Sequence, residues 1–143
     1  MKDKILIVED NPQNMKLFEI ILGVNSYALL KAVDGNEALA IEIIERPDLI
    51  IMDIQLPGMS GLEVTRKLRE DPSFDRVPII AVTAFAMTGD REKALEAGCN
   101  AYLSKPFKVR ELTGMIAEML LQRQKDEVWH KGDGNGDTGS SNR

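Results

Sequence analysis

The chain has 143 residues, of which 43% are hydrophobic and 29% charged, and its formal net charge is −5. That length suits one domain with a single core and a short remainder, and the composition is that of a globular chain rather than a disordered one. The acidic balance argues against direct nucleic-acid binding, and the lone Cys99 excludes both an intrachain disulfide and a cysteine-rich zinc site.

The first predicted element is Lys4-Ile5-Leu6-Ile7-Val8-Glu9, a buried strand that runs into the acid pair Glu9-Asp10. With Met1-Lys2-Asp3 ahead of it, this start is too short in apolar residues for a signal peptide or a spanning helix, so a cytoplasmic location with no membrane contact is expected. Asn11-Pro12 supplies a helix cap and first turn; Met15, Phe18 and Leu22 follow at helical spacing beside Ile21, and Gly23 stops the helix. A weaker strand is expected around 27–32. After the turn at Asp34-Gly35, a helix carries Ala38, Ile41 and Ile44 up to Arg46-Pro47.

The pivotal stretch is Leu49-Ile50-Ile51-Met52-Asp53, an unbroken apolar run that ends in one carboxylate before the chain turns at Pro57-Gly58. A charge is not tolerated inside such a strand, so Asp53 must emerge at its carboxyl end, where open α/β sheets place their ligands. Leu62, Val64, Thr65 and Leu68 mark a third helix, closed near Asp71-Pro72. Residues 77–82 read as another buried strand, ending in Thr83. A helix over about 88–97 stops at Gly98, and the short strand 101–104 ends in Lys105-Pro106. Val109, Leu112, Ile116, Met119 and Leu120 build a last amphipathic helix, expected to fade beyond Gln122.

Five strands alternating with five helices imply a doubly wound, five-stranded parallel α/β sheet in the order 2-1-3-4-5 with flanking helices. The folded domain is expected over 3–122. Residues 123–143, polar and then glycine-rich, read as a flexible tail or linker. Within them Asp133-Gly134-Asn135-Gly136-Asp137 imitates a calcium loop, but Thr138 stands where glycine is required and no bidentate glutamate follows.

Parallel strands bring Glu9, Asp10, Asp53, Thr83 and Lys105 to one rim of the sheet. Two unit charges about 4 Å apart repel by roughly 4 kcal/mol at an effective dielectric near 20, so three carboxylates there need positive compensation. Lys105 covers one charge, and the oxygen-rich remainder suits a hard cation, with Mg²⁺ the best match. The coherent use of such a site is phosphoryl transfer to Asp53: metal and ammonium neutralise the incoming group while the carboxylate attacks phosphorus. The bland alternative is a solvated acidic rim without metal.

Glu9-Asp10, the run from Asp53 to Gly61 (Asp-Ile-Gln-Leu-Pro-Gly-Met-Ser-Gly), Thr83-Ala84 and Tyr102-Leu103-Ser104-Lys105-Pro106-Phe107 together resemble the receiver domain of two-component response regulators. The resemblance implies a flavodoxin-like fold and an Asp53 that takes a phosphoryl group from a histidine of a sensor kinase or phosphotransfer protein. It implies Mg²⁺ held by Asp10, Asp53 and the backbone carbonyl of Gln55, with Glu9 helping either through water or directly; many relatives carry Asp rather than Glu at that position. Lys105 would contact the phosphoryl oxygens, across a Lys105-Pro106 bond that is cis. Thr83 would hydrogen-bond the phosphoryl group and Tyr102 would swing inward as its switch partner, changing a face of helix 4, strand 5 and helix 5 that a downstream protein reads. Gln55 and Phe85 occupy the positions that tune acyl-phosphate lifetime. The expected state is a monomer or a phosphorylation-dependent dimer.

Each assignment has a plainer competitor: Thr83 as a turn residue, Tyr102 as static packing, Lys105 as a surface lysine. A stand-alone receiver is expected, which is no enzyme beyond catalysing its own phosphorylation and dephosphorylation. The alternative is a receiver excised from a larger response regulator or hybrid histidine kinase. An aspartate-nucleophile phosphohydrolase is remote, because Gln55 stands where its second acid would be and cannot transfer protons. A flavin mononucleotide carrier would meet repulsion from Glu9-Asp10 at its phosphate.

Overall fold

The computed structural model describes residues 2–84 and 86–133, with side chains as far as 124. In chain order the elements are β1 (Lys4–Val8), α1 (Pro12–Gly23), β2 (Ala28–Ala32), α2 (Gly35–Glu45), β3 (Leu49–Asp53), α3 (Gly61–Arg69), β4 (Ile79–Thr83), α4 (Asp90–Ala97), β5 (Ala101–Ser104) and α5 (Val109–Asp133). The strands form one sheet in the order β2-β1-β3-β4-β5, and every pairing is parallel. The expected fold class and strand order are therefore present.

The apolar runs are continuous because β1, β3 and β4 are covered on both faces. Leu6, Val8, Ile50, Met52, Ile79 and Ala81 point to one side and pack with Ala38, Val64, Leu68 and Ala94 of α2, α3 and α4. The alternate residues Ile5, Ile7, Leu49, Ile51, Ile80 and Val82 meet Met15, Phe18 and Leu22 of α1 and Leu112 and Ile116 of α5. The register sets Val8 opposite Met52, Asp53 opposite Val82 and Thr83 opposite Ser104, so the polar strand ends share one rim.

Local chemistry fixes the helix starts at that rim. Asn11 accepts from the Asn14 amide at 2.9 Å, Asp34 from the Glu37 amide at 2.9 Å, and Ser60 and Glu63 form a reciprocal capping box. Helix α4 is shorter than expected: Met87 and Thr88 lie ahead of it, and its first residue is Asp90.

Two expectations need correction. Helix α5 does not fade at Gln122 but continues to Asp133. Residues 123–131 are mostly polar but contain neither glycine nor proline, and polarity alone does not end a helix; even Gly114 and Gly132 lie inside α5. The rest of the tail lies outside the described residues. On α2 the buried face is Gly35, Ala38 and Glu42, whereas Ile44 is 76% exposed. The turn carries the stripe through an acid that an apolar count passes over.

Candidate functional site

The turn after β1 and the end of β3 bring three carboxylates together. Glu9 and Asp53 are buried and Asp10 is exposed, and one oxygen from each lies within 4.8 Å of the others. The Asn11 amide donates to Glu9 Oε2 at 3.1 Å, which directs that carboxylate inward while Asn11 caps α1. The Gln55 amide donates to Asp53 Oδ1 at 2.9 Å.

Behind Asp53 the chain returns tightly. The Gly61 amide donates to the Ile54 carbonyl at 2.9 Å, and a Cβ at Gly61 would collide with the Asp53 carbonyl oxygen and stand 2.9 Å from Ile54 Cα. Only glycine lets the start of α3 press against the backbone that carries Asp53.

From the other side comes Lys105. Its amide donates to the Thr83 carbonyl at 2.8 Å, extending the β4–β5 ladder, and the Lys105-Pro106 bond is cis as expected. Its ammonium stands 3.5 Å from Glu9 Oε1. One lysine thus faces three acids. Burial, above all, pushes the Asp53 carboxyl up to about 7; Glu9 adds to the rise, and the Gln55 amide and Lys105 oppose it. The donor set is all hard oxygen, crowded and short of positive charge, and it fits Mg²⁺.

The remaining predicted residues fall around this core. Thr83 is buried at the end of β4. Tyr102 packs against the cluster beneath α2, α3 and α4, and its hydroxyl is buried with no hydrogen-bond partner among the described residues. Burial, and then the Asp90 carboxylate, raise that phenol above its ordinary range. Gln55 has an exposed side chain beside Asp53, and Phe85 lies outside the described residues. Sequence reasoning gave Phe18 only to the core, yet its ring lies 5.9 Å from the Lys105 ammonium. The available clue was that α1 begins two residues after Asp10, which places its buried stripe beside the acids. Among the described residues no helix is long and apolar enough to cross a membrane.

Comparison with known proteins agrees with this geometry. The family model described as "Response regulator receiver domain" matches residues 5–117. The polar-differentiation response regulator DivK of Brucella anthropi is 50% identical over 120 residues, covering 84% of this chain and 98% of that protein. A putative response regulator from Chloroflexus aurantiacus superposes with a TM-score of 0.81 at 31% identity, over 85% of this chain and 99% of its own. The receiver domain of a sensor histidine kinase from Pseudomonas aeruginosa, solved with a magnesium ion in its active-site cleft, matches at 42% identity with a TM-score of 0.77, over 84% and 98%. A five-stranded sheet that gathers its acids and its lysine on one rim, together with these matches, places the chain in the response regulator receiver domain family.

Proposed function

We propose that this chain is a phosphorylation-controlled switch in which Asp53 is the phosphoacceptor and phosphohistidine on a sensor kinase or phosphotransfer protein is the donor. The observation that carries the reading is the cluster of Glu9, Asp10 and Asp53 with the Lys105 ammonium 3.5 Å from Glu9. Glu9, Asp10, Asp53 and the Gln55 carbonyl are the residues that would hold Mg²⁺. When bound, the metal supplies charge neutralisation for the phosphoryl oxygens.

The chain's own groups do the rest. An Asp53 carboxylate oxygen forms a bond to phosphorus as the donor's P–N bond breaks; the electron pair stays on the imidazole nitrogen, which takes a proton. Lys105 compensates the equatorial oxygens, and the buried hydroxyl of Thr83 is the donor that engages them afterwards. Tyr102, whose hydroxyl has no hydrogen-bond partner among the described residues, is the side chain whose position reports that change to the α4–β5–α5 face. Met87 and Leu95, 71% and 42% exposed, give that face apolar contacts for a downstream protein. Hydrolysis returns Asp53 to its free state, so the chain catalyses only its own modification and turns over no separate substrate. The net charge of −5 supports protein partners over direct nucleic-acid contact, and the chain acts as a monomer or a phosphorylation-dependent dimer.

An apolar groove of about 290 Å³ between α1 and the turn after β5, lined by Leu17, Phe18, Ile21, Pro106, Phe107 and Val109, opens beside Lys105 and supports docking of the donor next to the acceptor. The test is incubation with acetyl phosphate and Mg²⁺ followed by mass spectrometry of the intact chain. One phosphoryl group is expected to add, to be lost slowly, and to be absent from Asp53→Asn; labelling that persists in Asp53→Asn would refute the assignment.

A further inference from the structure

The ammonium of Lys105 is poorly held by its ion pair. At 3.5 Å from Glu9 Oε1 it is well outside the 2.7–2.9 Å of a strong charge-assisted hydrogen bond. Its side chain is nevertheless only 21% exposed, so water does little of the holding. The ammonium also lies over the ring of Phe18, with the centroid 5.9 Å from the Lys105 nitrogen, within reach of a cation–π attraction.

That ring is itself fixed. Phe18 is 3% exposed on the buried stripe of α1 with Met15, Ile21 and Leu22. It stacks on Phe107 at a centroid separation of 6.4 Å and an interplanar angle of 22°. Phe107 belongs to the same turn as Lys105, and α1 grows directly out of the turn that carries Glu9 and Asp10. A single rigid wedge therefore links the acids, the ring and the lysine.

We infer that Phe18 is a positioning residue for phosphoryl transfer: its π-face holds the Lys105 ammonium off Glu9, free to meet the phosphoryl oxygens. This rests on the reading of Asp53 as the phosphoacceptor and of Lys105 as the group that meets the phosphoryl oxygens. A saturated side chain of similar bulk would fill the core equally well but would leave the ammonium without its second partner. It would then close on Glu9, and the transition state would have to pull it away.

The experiment replaces Phe18 with phenylalanines bearing one, two, three and five fluorines, which drain the ring face stepwise with little change in shape, and adds Phe18→Leu and Phe18→Tyr. The readouts are the rate constant and half-saturation for labelling by acetyl phosphate at saturating Mg²⁺, the unfolding midpoint, and the ring-current shift of the Lys105 side-chain protons in the NMR spectrum. The expected result is a maximal rate that falls in step with fluorination, reaching about 3- to 10-fold below the parent in the pentafluoro and Leu proteins, with rescue in Phe18→Tyr. The upfield shift of the Lys105 protons should vanish in Phe18→Leu, and the unfolding midpoint should stay level across the fluorinated series. A maximal rate that is flat across the series, or that follows the unfolding midpoint instead of the ring's electron density, overturns the inference. Failure of the parent to label, or undiminished labelling of Asp53→Asn, overturns the phosphoacceptor reading and takes this inference with it.

Discussion

Strand β3 has an aspartate at each end, and the two are treated in opposite ways. Asp48, just before the strand, has both oxygens engaged: the Lys4 amide donates to one at 2.8 Å, and Arg123 donates to the other at 2.9 Å. Nearby, Arg69 ties three segments together, donating to the carbonyls of Gly98 and Phe74 and to Asn100 Oδ1, which also accepts from the Ile79 amide. Asp53, at the far end, has one amide, two neighbouring acids and a lysine that faces Glu9. The amino-terminal rim is built of satisfied charge and holds the fold. The carboxyl-terminal rim stores unsatisfied charge that a cation and a phosphoryl group can relieve, so its cost in stability is the source of its reactivity.

The largest effect that tests this contrast is Asp53→Asn. Labelling by acetyl phosphate should disappear entirely, yet in metal-free buffer at pH 8, where the Asp53 carboxyl is ionised, the unfolding free energy should rise by about 1–2 kcal/mol, because one buried like charge has gone. Urea denaturation with and without EDTA measures the second half. A variant that is less stable than the parent would show that the rim is better compensated than its geometry indicates. The mirror experiment is Arg69→Ala. It strips three hydrogen bonds and should cost about 3–4 kcal/mol while leaving the labelling rate of the folded fraction unchanged. Gly61→Ala crosses the two behaviours. The added Cβ meets the Asp53 backbone, so about 2 kcal/mol of stability should go together with roughly a tenfold loss in labelling rate.

How much of this was legible beforehand follows the range of the interaction. Strands β1, β3 and β4 could be read because their burial on both faces writes itself as an uninterrupted apolar run, and the polar tips, Glu9, Asp53 and Thr83, stand out against it. The cap at Asn11 is local in the same way, whereas Asp34, read as a turn, also caps α2. The end of α5 was not legible because loss of the apolar stripe does not stop a helix: Arg, Gln, Lys and Glu, which follow Gln122, are themselves good helix formers. The Lys105–Phe18 contact joins distant parts of the chain and leaves no periodic trace. Arg69 was equally silent: its partners are mostly backbone carbonyls, which carry no side-chain signature.

Glu42 is where the amino-terminal rim departs from its own rule, and it gives the smallest and most pointed of the tests. Its carboxyl is fully buried, and neither oxygen has a hydrogen-bond partner among the described residues. Burial pushes it from 4.5 up to about 7, opposed by the charges of Arg46 at the end of α2, Arg69 of α3 and Arg123 of α5, which face it without bonding to it. The folded chain therefore keeps a proton that the unfolded chain releases above 4.5. Its stabilising contribution is complete below that pH and is lost as pH rises through about 7, a span worth about 2–3 kcal/mol after allowance for relaxation. Glu42→Gln keeps the shape and cannot ionise. Measured as the difference between the two proteins from pH 4.5 to pH 8, which cancels the contribution of Asp53, the variant should gain on the parent steadily through the window and level off above it. Labelling should be unaffected, since Glu42 takes no part in the phosphoryl site. A pH-independent difference would mean that the three arginines hold Glu42 ionised, and the amino-terminal rim would then be paired throughout.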